Sequence, residues 1–262
     1  MDNLLPYSVQ CTVFSIGGKD PLPACGFPSV AEKNSIHVWS AWYADLDQNF
    51  RVLSKSISRE ELNTASTYRN SADTRKYVMR HGLVRIILAH YTHGNPEMVS
   101  FKTGMHGKPQ LDLPGGYADI SFNLSHTSEM VLIGFTKKRR IGVDVVKMDP
   151  SYRFHESAEY ILTPGEKAFL NSIEPALRYQ IFFRIWMLKE AILKATGSTL
   201  TMMEKIDLSE IIQDVIFSPD YSMKFLDTPP PFFIWQFNSG SGHRGAIAVD
   251  TLCCSIKKGN RK

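Results

Sequence analysis

The 262-residue chain is 43% hydrophobic and 21% charged, a composition typical of a globular protein with a sizeable core. Its formal net charge of +4 favours acidic or phosphate-bearing ligands, but it is well below the basicity typical of nucleic-acid-binding proteins. The four cysteines lack the paired spacing of a zinc site, which indicates a reducing compartment. No apolar run approaches the roughly 20 residues of a membrane helix, and the N-terminus lacks a secretory signal. We therefore expect a cytoplasmic monomer, with neither nucleic acid nor a membrane among its partners.

The first half of the chain predicts a strand, a long helix and then short strands. Glycines and prolines punctuate residues 1–35, which indicates irregular structure. Residues 36–39 have the composition of a strand. Asn70 or Ser71 is a candidate cap of a helix that ends at Gly94-Asn95-Pro96. Short strands are predicted at residues 120–124, 131–136 and 141–146.

The second half predicts a helical region followed by strands. Thr163-Pro164-Gly165-Glu166 has the pattern of a helix cap with proline in the first turn. The helical pattern continues, with a break at Pro175, and stops at Gly197. Strands are predicted at residues 232–237 and 245–249. Because helices and strands are segregated along the chain, we expect the α+β class.

Asp144 is the first candidate for chemistry. It lies in the predicted strand Ile141-Gly142-Val143-Asp144-Val145-Val146, where alternation places Gly142, Asp144 and Val146 on one face. An acid among apolar neighbours, beside a glycine that permits close approach, is a plausible cation site. A strand-end aspartate that pairs with an arginine or caps a loop is an equally good interpretation of this segment.

A helical pattern over residues 178–195 places a second acid one turn before a lysine. Its apolar residues recur at spacings of four, three, four and three, and so form one buried stripe: Ile181, Ile185, Leu188, Ile192 and Ala195. Glu190 lies roughly opposite this stripe, at about 100° per residue, and Lys194 follows on the same face. Aromatic residues on that face favour a position at a cleft. The alternative is a solvent-exposed Glu–Lys pair, which this spacing more commonly forms.

Two further segments contain residues suited to phosphate binding. The turn residues of Gly107-Lys108-Pro109 can present a lysine to phosphate oxygens, although most such sequences are simple turns. Phe122-Asn123-Leu124-Ser125-His126 places hydrogen-bonding side chains after a short apolar strand. A histidine in such a place is more often a solvated side chain than a ligand.

Together and in this order, the four segments resemble the Sfp-type 4′-phosphopantetheinyl transferase family. The segments that carry the resemblance are Gly107-Lys108-Pro109, Phe122-Asn123-Leu124-Ser125-His126, Gly142-Val143-Asp144, and Trp186-Met187-Leu188-Lys189-Glu190-Ala191 with Lys194. Each segment is a weak signal alone, but all four in the same order as in the family are a specific signal. The resemblance is detailed from Gly107 to Gly197 and thin beyond residue 205.

The resemblance implies a transferase of the holo-[acyl-carrier-protein] synthase type. Such an enzyme moves the phosphopantetheine arm of coenzyme A to a serine of an acyl- or peptidyl-carrier protein, and it leaves adenosine 3′,5′-bisphosphate. Asp144 and Glu190 are then expected to hold Mg²⁺ against the pyrophosphate, with Lys194 as a further catalytic residue. Glu190, directly or through a metal-bound water, is the expected base for the serine hydroxyl. The residues expected to bind the coenzyme are Lys108, Asn123, Ser125, His126, Lys189 and Lys194.

Two features leave details of this assignment open. Many bacterial members carry a third acid two residues after the strand aspartate, and Val146 stands there in this chain. Mg²⁺ needs only one or two carboxylates when a substrate supplies phosphate oxygens, so Val146 bears on metal affinity more than on activity. It also motivates an alternative, a catalytically inactive coenzyme A-binding homologue. Arg75, with Arg69 and Lys76, is a candidate nucleotide contact, although a solvated helix face explains these residues equally well.

The resemblance further implies two similar α+β halves that form a pseudo-dimer, with the active site between them. We place the N-terminal half at residues 1–138 and the C-terminal half, with both acids, at residues 139–262. The basic residues 137–140 lie near the join. They can attract an acidic carrier protein, but a solvated turn between strands is the interpretation we favour.

Overall fold

The computed structural model describes residues 10–16, 22, 35–104, 107–112, 119–218, 220, 224–228 and 230–251. The chain divides into two compact units, each with its own sheet and helices. The first comprises Met1–Ile120 and His126–Lys137, and the second comprises Ser121–Ser125 and Lys138–Lys262. The α+β class with two sheet-containing halves is thereby confirmed, whereas the boundary at residues 138 and 139 remains a prediction.

The first unit combines a mixed sheet with helices. Its elements are β1 (Gln10–Ile16), β2 (Ser35–Trp42), α1 (Tyr43–Leu46), α2 (Phe50–Ser56), α3 (Arg59–Ser66), α4 (Ser71–Thr92), β3 (Phe101–Thr103), β4 (Pro109–Leu111), β5 (Ile120–His126) and β6 (Met130–Lys137). β2 lies between β1, to which it is parallel, and β6, to which it is antiparallel. Residues 121–125 of β5 are grouped with the second unit.

The long helix α4 carries four of the cationic residues of the first unit: Arg75, Lys76, Arg80 and Arg85. Asn70 caps it by accepting a hydrogen bond from the amide nitrogen of Ala72 at 2.8 Å. His93 ends it in the left-handed conformation, with φ of 51°. The predicted cap and end are therefore confirmed. Arg80 and Arg85 are buried in the helix, so α4 has no simple polar face.

The second unit is built around an antiparallel sheet. Its elements are β7 (Ile141–Lys147), α5 (Phe154–Ile161), α6 (Pro164–Ser172), α7 (Pro175–Thr196), α8 (Ile212–Phe217), β8 (Lys224–Leu226), β9 (Phe232–Gly240) and β10 (His243–Asp250). The strand order is β7-β10-β9-β8, and α7 packs on β7 and β10. A 3-10 helix at Leu200–Lys205 follows α7.

Local sequence signals fix the limits of α6 and α7. Thr163 and Glu166 form a capping box, in which each side chain accepts a hydrogen bond from the backbone of the other. Pro175 is the first residue of α7, and Gly197 ends that helix in the left-handed conformation, with φ of 70°. The predicted cap, break and stop are confirmed. The predicted apolar stripe of α7 is buried as well, but Phe182, Met187 and Lys189 are also buried, so the helix is enclosed on most sides.

The sequence patterns did not predict several of the helices and strands. β1 lies within the stretch predicted to be irregular, because its sequence is bounded by glycines and prolines that mask a short strand. The short elements α5, α8 and β8 also lack a periodic signal, since each spans eight residues or fewer. The strand predictions corresponding to β2, β5, β6, β7, β9 and β10 are confirmed.

The basic residues 137–140 lead into β7. Arg139 is 4% exposed and donates from Nη1 to the carbonyl oxygen of Asp250 at 3.0 Å. The Asp250 carboxylate accepts from Nε of Arg140 at 2.6 Å and from its backbone nitrogen at 2.9 Å. These contacts join the start of β7 to the end of β10. Two of the four basic residues therefore stabilise the fold.

In the part of the chain that the structure describes, no helix is both long enough and apolar enough to cross a membrane.

Candidate active site

Helix α7 packs closely against β7 at Gly142. A Cβ atom there would lie 1.9 Å from the carbonyl oxygen of Ala191 and 2.4 Å from the amide nitrogen of Ala195. Only glycine permits this approach without a shift of the helix. Since side chains alternate along a strand, Asp144 lies on the same face of β7 as Gly142. The tight packing thus brings the carboxylate of Asp144 next to the last turns of α7.

Asp144, Ser125 and Lys194 form a closed triangle of polar side chains. Oδ1 of Asp144 accepts from Nζ of Lys194 at 2.6 Å and from Oγ of Ser125 at 2.7 Å. Nζ of Lys194 also lies 3.0 Å from Oγ of Ser125. Asp144 is 5% exposed, whereas the side chain of Lys194 is 28% exposed. The triangle is therefore closed on the strand side and open on the lysine side.

Polar side chains of β5 tie that strand to the backbone of β7. Oδ1 of Asn123 accepts from the amide nitrogen of Val143 at 2.8 Å. Oγ of Ser125 accepts from the amide nitrogen of Val145 at 3.3 Å. Both residues were predicted to bind the coenzyme, and in this structure both support the strand that carries Asp144.

Glu190 lies half-buried one turn before Lys194. Its Oε1 accepts a hydrogen bond from Nε1 of Trp186 at 3.3 Å. Burial raises the pKa of the Glu190 carboxyl, and the charge of Asp144 raises it further, while Lys194 and Trp186 lower it. Glu190, Asp144 and Lys194 therefore belong to one electrostatic cluster, which we call the acid–lysine cluster. Both acids lie in the second unit, and the metal ion that they are predicted to share remains a prediction.

Lys189 has a different environment from Lys194. Its side chain and that of Glu166 are both 0% exposed, with Nζ 2.5 Å from Oε2. Nζ also donates to the carbonyl oxygens of Ile161 at 2.7 Å and Met203 at 3.2 Å. An ammonium enclosed in this way has no surface to offer a ligand. Lys189 was predicted to contact phosphate. In this structure it has a structural role instead, because its charge compensates the buried carboxylate of Glu166.

The first unit contains a cavity with a volume of about 370 Å³. Its lining combines aromatic, acidic and basic side chains, among them Tyr43, Tyr68, Asp73, Lys76, Arg80 and His126. Lys76 and Arg80 are one turn apart on α4, so both can face the same ligand. His126 had been predicted as a coenzyme contact, and Lys76 as a candidate. Arg80 was not predicted, although its spacing of four residues from Lys76 is a usable signal.

Arg75 and Lys108 lie elsewhere in the first unit. Nε of Arg75 is 2.6 Å from Oδ1 of Asp47, and its guanidinium lies 3.7 Å from the ring centroid of Phe50. Arg75 is not among the residues that line the cavity. Lys108 is half-buried in the turn between β3 and β4, where its carbonyl oxygen accepts from the amide nitrogen of Gly104 at 2.8 Å. The predicted coenzyme contacts of Arg75 and Lys108 remain predictions.

The carboxylate oxygens of the acid–lysine cluster are suitable ligands for a magnesium ion. Asp144 and Glu190 offer carboxylate oxygens, the hard ligands that Mg²⁺ prefers. Among the described residues, no group of three or more His, Cys, Asp or Glu side chains is arranged to hold a metal. Val146, at the position of a possible third acid, packs against the hydrophobic core. Two carboxylates suffice for Mg²⁺ when phosphate oxygens complete the coordination.

Family models match most of the chain in two segments. The model described as the 4′-phosphopantetheinyl transferase superfamily matches residues 140–249. The model described as 4′-phosphopantetheinyl transferase, N-terminal, matches residues 39–137. Both describe the same class of protein, a group of transferases. The acid–lysine cluster lies within the first of these matches.

Individual relatives carry the same description. The chain is 29% identical to the 4′-phosphopantetheinyl transferase HetI of Nostoc sp. over 67% of this chain and 74% of the relative. It is 31% identical to a putative 4′-phosphopantetheinyl transferase of Synechocystis sp. over 55% of this chain and 58% of the relative. It is 24% identical to the 4′-phosphopantetheinyl transferase Sfp of Bacillus subtilis over 78% of this chain and 86% of the relative. The chain belongs to the 4′-phosphopantetheinyl transferase superfamily, as its motifs indicated.

Proposed function

We propose that this protein transfers the 4′-phosphopantetheine arm of coenzyme A to a serine of an acyl- or peptidyl-carrier protein, with Mg²⁺ as cofactor. The observation that carries the proposal is the half-buried carboxylate of Glu190 beside the paired Asp144 and Lys194. We extend the proposal to a monomeric enzyme of the cytoplasm, in line with its composition.

The reaction has three requirements that the protein must meet. The carrier serine hydroxyl must lose its proton as its oxygen forms a bond to the β-phosphorus of coenzyme A. The bond between that phosphorus and the bridging oxygen must break, and adenosine 3′,5′-bisphosphate leaves with the electron pair. The negative charge that develops on the phosphate oxygens must be neutralised.

Glu190 is suited to accept the serine proton. Burial raises its pKa, and a base whose pKa approaches the working pH transfers protons efficiently. Lys194 supplies a positive charge with an open side, so it can contact phosphate oxygens. Ser125 fixes the position of Asp144 through its hydrogen bond. When Asp144 and Glu190 hold it, Mg²⁺ would supply further positive charge for the pyrophosphate.

The cavity of the first unit suits the nucleotide portion of the coenzyme. Lys76, Arg80 and His126 offer donors to phosphate oxygens, and aromatic side chains lie beside them. Its volume falls within the range of small-molecule sites, roughly 300–1,000 Å³. We assign the nucleotide portion of the coenzyme, without its pyrophosphate, to this cavity, and Arg75 to support of the surrounding fold through Asp47.

A transfer assay with fluorescent coenzyme A and a panel of carrier proteins tests the proposal. We expect Mg²⁺-dependent labelling of the serine of at least one carrier. Asp144→Ala and Glu190→Ala should each lower the rate by about 10²–10⁴-fold, the range for loss of a general acid or base. Glu210→Ala, which removes an exposed acid of the same unit, should leave the rate unchanged.

Two outcomes would contradict the proposal. Wild-type rates in Asp144→Ala or Glu190→Ala would remove that residue from the reaction. Tight coenzyme A binding by calorimetry, without labelling of any carrier in the panel, would favour the alternative of an inactive coenzyme A-binding homologue.

A further inference from the structure

We propose that Lys194 is an internal competitor of the divalent cation, so that the metal and coenzyme A bind this protein cooperatively. In the free protein the ammonium of Lys194 compensates Asp144. The pyrophosphate of the coenzyme then draws the ammonium away, and the carboxylate becomes available to the metal. This inference rests on the proposed function, since it concerns the same site.

The contacts of Asp144 are the first step of the argument. Oδ1 accepts hydrogen bonds from both Lys194 and Ser125, at 2.6 and 2.7 Å. A carboxylate oxygen has about two lone-pair sites, so these two donors occupy the acceptor capacity of Oδ1. A cation that binds Oδ1 must displace one of the donors, and a cation that binds Oδ2 would lie beside the ammonium of Lys194, which repels it.

Lys194 is the donor that can move. Ser125 accepts from the backbone of Val145 and is 6% exposed, so its hydroxyl is fixed in place. The Lys194 side chain is 28% exposed and carries its charge on a flexible four-carbon stem. The backbone of α7 is held against β7 by the close contact of Ala191 and Ala195 with Gly142, so only the side chain needs to shift.

The charge of the cluster gives the direction of the effect. Asp144 and Glu190 contribute two negative charges and Lys194 one positive charge, which leaves −1 when all three are ionised. Val146 adds no third acid at this face of β7. A single net negative charge attracts a dication weakly, and the ammonium lies directly on one of the two carboxylates. The pyrophosphate adds negative charge and offers the ammonium a second partner, so both effects favour metal binding.

Thermodynamic linkage makes this coupling reciprocal. If coenzyme A raises the metal affinity by some factor, the metal raises the affinity for coenzyme A by the same factor. Such couplings are typically about 5–150-fold. A ligand that lacks the pyrophosphate should show a smaller coupling. Adenosine 3′,5′-bisphosphate is therefore the matched control ligand.

Calorimetry and electron paramagnetic resonance with Mn²⁺ test the inference without turnover. Mn²⁺ is titrated into the protein alone, with coenzyme A, and with adenosine 3′,5′-bisphosphate, against protein-free blanks. For the unaltered protein we expect coenzyme A to tighten Mn²⁺ binding by about tenfold or more, and the bisphosphate to do so less. For Lys194→Met and Lys194→Gln we expect Mn²⁺ alone to bind about tenfold tighter, and the coupling to coenzyme A to shrink.

Control variants separate competition from other effects. Lys167→Met removes a partly exposed positive charge, paired with Glu159, from α6 and should leave the Mn²⁺ affinity unchanged. Lys194→Arg keeps the charge and should keep the coupling. Asp144→Asn should weaken Mn²⁺ binding with and without coenzyme A. Circular dichroism establishes that each variant is folded, and the second neutral variant at Lys194 covers a failure of the first.

The outcomes distinguish this inference from the proposed function. Equal or weaker Mn²⁺ binding by both neutral variants at Lys194, or an unchanged coupling, would overturn the competitor role even if the protein labels carriers. Tighter Mn²⁺ binding by those variants, in a protein that labels no carrier, would support the competitor role and reject the transferase.

Discussion

Helix α7 carries the lysines of two acid–lysine pairs, five residues apart, and the surroundings of the two pairs differ sharply. Lys189 and Glu166 are fully buried, and Glu166 also accepts from the backbone nitrogens of Thr163 and Leu208, at 2.8 and 2.9 Å. The second pair, Asp144 with Lys194, leaves the lysine partly open to solvent. The first pair joins the start of α6 and the segment after α7 to the helix. The second lies beside Glu190, whose pKa is raised by burial.

The difference shows how one helix separates support from chemistry. A buried ion pair whose hydrogen bonds are all satisfied has no capacity left for a ligand. A pair with one exposed partner can exchange that partner for a phosphate or a cation. Exposure of the lysine, rather than its distance from the acid, distinguishes the two pairs, since the Nζ–O distances are 2.5 and 2.6 Å.

Removal of either lysine tests this distinction most strongly. Lys189→Met leaves the Glu166 carboxylate buried without its counter-charge, and we expect a loss of about 3–5 kcal/mol in the free energy of unfolding. Lys194→Met should cost less than Lys189→Met, because the Lys194 side chain is partly exposed and Ser125 still donates a hydrogen bond to the carboxylate of Asp144. Urea unfolding followed by circular dichroism measures both. Similar losses in the two variants would contradict the assignment of separate roles.

A second variant restores the balance of the buried pair. Adding Glu166→Met to Lys189→Met removes the unpaired charge, so part of the lost stability should return. The recovery remains partial, because the amide nitrogens of Thr163 and Leu208 lose their acceptor. A double variant less stable than Lys189→Met would indicate that the carboxylate stabilises the fold without the lysine.

Gly142→Ala tests whether close packing of α7 maintains the open pair. The new methyl group would overlap the backbone of Ala191, and the resulting overpacking should cost about 1–3 kcal/mol. The shift of α7 should also weaken the contact between Lys194 and Asp144, and so lower the rate of transfer. Gly94→Ala is the control, because its nearest new contact is a side-chain oxygen of Thr92 at 3.3 Å. Full activity in Gly142→Ala would show that the pair tolerates a wider spacing.

Glu190→Gln should give the smallest effect, and its sign depends on pH. Because the pKa of Glu190 is raised in the folded protein, the ionised carboxylate destabilises the fold above that pKa. We expect the glutamine variant to be more stable at pH 7–8 by less than about 1 kcal/mol, and the difference to vanish as the pH falls below the unfolded pKa. Melting temperatures between pH 4 and 8, with Glu210→Gln as the control, measure it. A gain that is constant across this range would exclude ionisation of Glu190 as its cause.

The sequence predicts the positions of the two acids but not the environment of each lysine. Alternation along β7 and the stripe of α7 place Asp144 and Glu190 correctly, because both patterns report which way a side chain points. Lys189 is different: its partner Glu166 lies on another helix, and the motif itself does not indicate burial. Similarly, Arg75 and Lys76 differ by one position on a helix that is mostly buried, so periodicity cannot select the residue that lines the cavity.

The contacts of Asp250 have a practical consequence for anyone who shortens or tags this chain. Its carboxylate and carbonyl groups hold Arg139 and Arg140 at the entry to β7, so the polypeptide is fastened near the end of the described residues. A C-terminal cut after Val249 would remove these contacts and so loosen the start of the strand that carries Asp144. Any truncation series for crystallisation should therefore retain Asp250, and fusion partners are better attached beyond it.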